Sequence, residues 1–311
     1  MKTKKIIALA LFLFSVCAIY ATDTKTVTLE KELTYDQHTL TDTYPYSKAT
    51  REFQWDKIKE KLVKVDSLRE KNSDRWAILQ NKSNRNGKPA NAKEFTTNEY
   101  HGIVDRFGVP AYQSIPLFLA CDLIVPERYA LDGSLVNIVG EEGDFVIAFT
   151  TFCDEEYLIP KKFVHQITGT PDFAKVIVVD RTNQNISTFE KVGDTWKVRS
   201  MNPATTGLHK PPYQKETPLG LFVLQQKVAK MEFYADGTTN IAGFAPYASR
   251  FSAGGYIHGV PINYPRTEMI EFSSTLGTTP RSHMCVRNAT SHAKFVFDNF
   301  PVDDTLVFVI E

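Results

Sequence analysis

The sequence predicts a mainly β protein in which one amphipathic helical segment precedes two β units. Three observations carry this. Short runs rich in Val, Ile and Phe, separated by Gly and acidic turn residues, fill the chain from about residue 96 onward. Apolar residues at steps of three and four are confined to Trp55, Ile58, Leu62, Val65 and Leu68. A chain of 311 residues with 42% hydrophobic content has material for more than one packed core.

Residues 1–21 read as an export signal. Lys2, Lys4 and Lys5 give a basic start, Ile6 to Tyr20 is almost uninterruptedly apolar, and Ala21 offers a small residue for cleavage. The run falls short of the roughly 20 residues that cross a bilayer, so cleavage near Thr22 is expected rather than anchoring. Lipidation at Cys17 is the alternative, set against the bulky Phe14 and Val16 before it. Removing the segment leaves 33 basic against 36 acidic side chains, a net charge near −3. That balance gives no electrostatic reason for a nucleic-acid or anionic-membrane partner. The export signal implies a location outside the cytoplasm, with the periplasm or cell envelope expected.

Residues 22–95 are expected to form an N-terminal helical segment and a linker. Thr22 to Thr43 is polar and lacks a period, which predicts a loosely wrapped stretch. A helix is predicted between Ser47, as a cap, and Gln80, its apolar stripe packed against the rest of the protein. "NKSNRNGKPAN", Asn81 to Asn91, reads as a polar linker.

Residues 96–167 carry "SLVNIVGEEGDFVIAFTT" and "EEYLIPKKFVHQI", which predict a small β-barrel. The pattern resembles bacterial SH3-like domains, with "YLIPKKFV" in the place of their closing strand. Residues 168–311 begin with "AKVIVVDRTNQNISTFEKVGDTWKV", a meander turning at Asn183 to Asn185 and at Gly193-Asp194. "TPLGLFVLQQKV" adds a strand after a Pro-Gly bend, and "TLVFVIE" suits a central one. The expectation is a β-sandwich-like domain.

After export, Cys121, Cys153 and Cys285 remain, an odd number in an oxidising compartment. Cys121 and Cys153 lie in the same strand-rich region and are candidates to pair, leaving Cys285 free, although spacing alone fixes no connectivity. No CxxC or His-x-x-x-His spacing suggests a metal site, and no cofactor is expected.

Cys285 sits in "PRSHMCVRN", two residues after His283, and His258 sits in "GGYIHGV". Taken singly, Cys285 reads as an inert core thiol and His258 as a half-buried strand histidine. A nucleophilic cysteine needs a base, and the base needs a third group to orient it.

The order "IHG" then "SHMCVR", preceded by "STF", "TTG" and "TPLG", resembles the L,D-transpeptidase catalytic domain, the YkuD family, over Phe173 to Glu311. The resemblance implies that Cys285 attacks a peptide carbonyl and that His258 is the base that keeps it as thiolate. It places Gly259 where the family uses a backbone carbonyl to hold that imidazole. It puts His283 and Ser282 around the thiol, with backbone N–H groups near Met284 and Cys285 as oxyanion donors. It gives Arg287 a substrate carboxylate to meet or a loop to brace, and Tyr256 a place along the substrate. Thr206-Gly207 and Thr217-Pro218 with Gly220 match the family's scaffold segments.

Two departures stand out. Met284 replaces the family's glycine, and the gap from His258 to Ser282 is longer than usual, offering a lid or a ledge. The implied reaction uses peptidoglycan stem tetrapeptides and a thioester on Cys285. A neighbouring stem as acceptor gives a 3-3 cross-link, a lipoprotein lysine gives attachment to the wall, and water gives an L,D-carboxypeptidase. A non-catalytic peptidoglycan-binding protein is the competing reading.

Overall fold

In the computed structural model, which describes residues 26–311, the strand Lys175–Asp180 organises the C-terminal unit. Its apolar run is divided between two cores, because successive side chains point to opposite faces of a sheet. Val176 and Val178 enter one core, and Ile177 and Val179 the other. The parallel neighbour Thr305–Ile310 does the same, sending Leu306, Phe308 and Ile310 one way and Val307 and Val309 the other. Each such buried side chain contributes about 1.5–3 kcal/mol.

These strands lie within a six-stranded sheet ordered Thr28–Lys31, Thr195–Pro203, Asn185–Val192, Lys175–Asp180, Thr305–Ile310 and Gly220–Val223. A second sheet is ordered Gln226–Tyr234, Ile241–Ser252, Gly255–His258 and Val286–Arg287. Phe251, Ile257 and Val286 of the second sheet meet Ile177, Val179 and Phe222 of the first in a shared core, joined there by Val296 of the helix Thr290–Asn299. The mainly β, sandwich-like architecture expected for residues 168–311 is what these sheets build.

The helix Trp55–Glu70 buries Ile58, Leu62, Val65 and Leu68 against the outer face of the first sheet, beside Phe189 and Trp196. Its limits differ from the expected Ser47 to Gln80. Ser47 lies in the turn between Thr43–Tyr46 and Ala49–Glu52 with φ of 56°, a hairpin rather than a helix cap. The helix stops where Asn72 turns left-handed, with φ of 42° and its N–H on the Arg69 carbonyl. Trp76–Leu79 is then a strand, buried throughout. Trp76 and Ile78 face the helix core while Ala77 and Leu79 face the upstream core, an alternation that no helix could satisfy.

The upstream unit is built on a five-stranded sheet ordered Glu156–Pro160, Phe145–Thr150, Leu135–Glu142, Trp76–Leu79 and Val164–Gln166. The stretch expected to be loose supplies Thr28–Lys31, which pairs in parallel with Thr195 to Val198. The expected linker is tied down as well. Asn81 is buried, and its amide donates to the carbonyls of Gly87 and Ser114. Cys121, Cys153 and Cys285 are all free thiols, so the candidate pairing of the first two is not formed. Cys153 meets the Thr150 hydroxyl instead, at 3.0 Å. The expected export signal, residues 1–21, lies outside the described residues.

His292, on the helix Thr290–Asn299, is wholly enclosed between Ser200 and Asn288. Burial drops its pKa to about 3, so the folded protein refuses a proton that the unfolded chain accepts at the ordinary value near 6.5. Stability from this residue is full above pH 6.5 and is lost as pH falls from there toward about 3, by up to about 5 kcal/mol. Urea midpoints measured from pH 7 down to pH 4 should fall, and His292→Gln should flatten that decline. An unchanged decline in the variant would remove His292 as its cause.

Candidate active site

The strand Gly255–His258 runs parallel to Val286–Arg287, with Ile257 opposite Val286 and His258 opposite Arg287. That register sets Cys285, the residue just before Val286, at the mouth of the ladder beside the strand that ends in His258. Six of the residues singled out in the sequence, Tyr256, His258, Ser282, His283, Cys285 and Arg287, line one groove of about 750 Å³.

His258 is buried, and its Nδ1 lies 2.6 Å from the Gly259 carbonyl oxygen. A carbonyl only accepts, so Nδ1 carries the proton and Nε2 is left with a free lone pair. Burial, reinforced by the Arg287 charge and opposed by the Gly259 carbonyl, lowers the imidazole pKa to about 4. Gly259 itself tolerates no side chain, since a Cβ there would meet Thr290 Oγ1 at 2.8 Å and Pro246 Cγ at 2.9 Å. Its N–H donates to the Pro246 carbonyl, and the Val260 N–H donates to Thr290 Oγ1 at 3.1 Å, fixing the plane of the peptide whose carbonyl holds the imidazole.

The Cys285 thiol is partly exposed and donates to the Gly254 carbonyl at 3.4 Å. Desolvation pushes it up to about 11, against the opposing pull of the Tyr256 N–H and the Arg287 charge. Burial thus works against the thiolate that the resemblance implies for Cys285. With the imidazole near 4 and the thiol near 11, both are neutral at pH 7.

The loop carrying the thiol is strapped to the segment from Thr205 to Leu208. Arg281 and Ser282 donate to the Thr206 carbonyl, Leu208 to that of Ser282, and Thr205 and Arg287 exchange backbone bonds of 2.9 and 2.8 Å. Thr217 Oγ1 accepts from Gly207 N–H at 2.9 Å and donates to the Met284 carbonyl at 2.8 Å. In a trans peptide the C=O and the following N–H point opposite ways, so this bond turns the Cys285 N–H away from Thr217. Ser282 is buried, and its hydroxyl caps the Cys285 carbonyl. It braces the loop from the wall of the groove.

His283 lines the same groove as the thiol and is exposed, its Nε2 at 2.7 Å from Asp236 Oδ1, another lining residue, on the connection between Gln226–Tyr234 and Ile241–Ser252. The Arg287 backbone braces the loop, while its Nε is buried with no hydrogen-bond partner among the described residues.

Residues 174–309 match the family model of the L,D-transpeptidase catalytic domain, YkuD. The match spans both β sheets of the C-terminal unit, the edge strand Thr28–Lys31 apart, and every residue of the groove described above except Lys82. Among solved structures, the chain is similar to a fused zinc-dependent amidase/peptidase/peptidoglycan-binding-domain protein from Clostridium acetobutylicum ATCC 824. The identity is 21% over 45% of this chain and 52% of that one, with a TM-score of 0.33. It is also similar to an L,D-transpeptidase from Mycobacterium tuberculosis H37Rv, at 18% identity over 60% of this chain and 70% of that one, TM-score 0.34. A third is an L,D-transpeptidase from Mycobacterium smegmatis, at 16% identity over 57% and 82% of the two chains, TM-score 0.36. The chain thus spans about half the length of the first of these structures. No curated protein matches the chain.

Within the matched segment, Met284 holds φ of 103°, a conformation suited to glycine. A residue with a Cβ is strained there by about 1–3 kcal/mol. Met284→Gly should raise stability by ~1 kcal/mol, after the added flexibility of the unfolded chain is set against that relief. A thermal midpoint that falls in the variant would mean that the Met284 side chain earns its place by packing. The long segment between His258 and Ser282 is held down, not free as a lid. Thr290 donates its hydroxyl to the Ile270 carbonyl, Glu271 accepts from the Ser291 N–H, and Thr205 donates to the Thr275 carbonyl. It forms a fixed ledge beside the groove.

Sequence reasoning passed over Gly254, Asp236 and Lys82, which also line the groove. Gly254 opens the quoted "GGYIHGV" and Lys82 lies in the stretch read as a linker, but nothing local marks Lys82 or Asp236 as serving the groove.

Proposed function

We propose that this protein is an L,D-transpeptidase that moves the acyl group of a peptidoglycan stem tetrapeptide through a thioester on Cys285. The observation that carries the reading is the His258 imidazole, locked by Gly259 with its free nitrogen available, on the strand that pairs with the one following Cys285, so that both side chains line one groove.

Because both groups rest neutral, the thiol proton passes to His258 Nε2 as the sulfur attacks the third-residue carbonyl. The Cys285 N–H, turned by the Thr217 bond, and the Met284 N–H stabilise the oxyanion. The intermediate collapses to the thioester as the C–N bond breaks, and the proton on His258 leaves with the D-alanine amine. An incoming amine then gives its proton to His258 and displaces the thiolate. The acceptor is a second stem peptide, giving a 3-3 cross-link; a lipoprotein lysine or water is the alternative. Arg287, with its unpartnered Nε, meets a substrate carboxylate. The substrate class fits the export read from residues 1–21, and so a periplasmic or cell-envelope location.

The test is mass spectrometry of products from a purified tetrapeptide muropeptide, with Cys285→Ala alongside. A cross-linked dimer that requires Cys285 supports transpeptidation, and D-alanine release with no dimer supports the carboxypeptidase. Binding with no D-alanine release at all would overturn the catalytic reading in favour of a peptidoglycan-binding protein.

A further inference from the structure

Lys82 lies well outside the YkuD match, yet it reaches the reaction groove. It begins the short turn Lys82–Asn84 that follows the strand Trp76–Leu79 of the upstream unit. Its Nζ donates to Tyr256 OH at 2.7 Å, and the ammonium stands 5.3 Å from the centre of that ring. The backbone N–H of Tyr256 in turn acts on the Cys285 sulfur.

The turn is rigidly placed. Asn81 N–H donates to Asp132 Oδ1 at 2.7 Å, and Asn84 Oδ1 accepts from Gln113 N–H at 2.7 Å. Asp132 Oδ2 accepts from Arg250 Nη1 and from Ala253 N–H, each at 2.7 Å. One carboxylate therefore fixes the residue before Lys82 and the residue before Gly254, whose carbonyl receives the thiol. The upstream unit and the catalytic loop share a common reference point.

Lys82 is half-buried, and among the described residues no carboxylate comes within ion-pairing distance of it. A neutral phenol compensates an ammonium only in part, and two of its three N–H donors remain available for an anion. Of the acidic side chains lining the groove, Asp236 is already engaged by His283.

We propose that Lys82 is a specificity residue that binds a carboxylate of the donor peptide, so that the upstream unit completes the substrate site. This rests on the function proposed above. The carboxylate is either the peptide's C-terminus or one on the side chain of its third residue, and selective amidation separates the two.

The experiment uses protein lacking residues 1–21 in a Cys285→Ala background, titrated calorimetrically with tetrapeptides bearing both carboxylates, an amidated C-terminus or an amidated side chain. Lys82→Met should weaken the fully charged peptide tenfold or more. One amidation should weaken the parent to a similar degree and have no further effect in the variant, which identifies the carboxylate concerned. Lys82→Arg should restore much of the affinity. Equal affinity in parent and variant, or an equal loss for every peptide, would overturn the proposal. In active protein Lys82→Met should raise KM with kcat little changed. If no tetrapeptide binds the parent, the functional reading fails. Lys82 is then judged by the alkylation of Cys285 with iodoacetate relative to iodoacetamide. A ratio several-fold lower in Lys82→Met keeps the carboxylate role, and an unchanged ratio ends it.

Discussion

Replacing Asp132 with alanine is expected to destabilise the protein by ~3–5 kcal/mol, the range for removing one partner of a buried ion pair. The Asp132 side chain is completely enclosed, and its Arg250 partner is 7% exposed. The variant would leave that guanidinium charged and desolvated, with Gln225 Oε1 as a remaining neutral partner at 3.0 Å. It would also strip acceptors from the Asn81 and Ala253 N–H groups. The second loss links stability to chemistry, because Ala253 precedes the glycine whose carbonyl holds the Cys285 thiol. Urea unfolding should show the midpoint drop, and Asp132→Asn, which keeps the shape but not the charge, should fall between the two. A midpoint within about 1 kcal/mol of the parent would mean that water or neighbouring groups satisfy Arg250, and that the two units are not held together here.

The sandwich-like unit was legible because its strands announce themselves: "VIVV" and "TLVFVI" are long enough to fill two cores by alternation alone. "WAIL" carries the same alternation but is only four residues long and follows a strong helical stripe, so local pattern could not separate it from the end of the helix. Thr28–Lys31 has no apolar period at all. It is a strand because the edge of the sheet at Thr195 to Val198 offers it backbone partners, a cause that lies nearly 170 residues away along the chain.

The site divides along the same line. His258, Gly259, Cys285 and the Thr206-Gly207 and Thr217 segments lie in contiguous motifs whose residue types carry their chemistry. Their geometry follows from short-range bonds, such as that of His258 to the next carbonyl. His283 sits inside the motif and lines the groove, but its partner there, Asp236, lies on a connection far upstream that the motif does not announce. Asp132 and Lys82 belong to a segment read as strand and linker. Only the docking of one unit on the other reveals that they serve the groove. The protonation states were equally hidden, since they depend on burial that no local string encodes.

Those protonation states make the second large expectation specific. His258→Gln should slow acylation of Cys285 at pH 7 by about 10²–10⁴, the usual contribution of a positioned general base. The parent needs a neutral imidazole and a protonated thiol, so its acylation rate should hold level from above about pH 4 to below about pH 11. The variant has no base and reacts through the small fraction of thiolate. With the thiol pushed up to about 11, that fraction grows about tenfold for each pH unit below its pKa. The deficit should thus be greatest near neutrality and shrink steadily toward pH 10. Intact-mass measurement of the acyl-enzyme over that range distinguishes the cases. A parent whose rate itself climbs tenfold per unit through pH 7 to 9 would mean that free thiolate is the attacking species and that His258 does not take the proton. A parent and variant with parallel profiles would mean that the imidazole only shapes the groove.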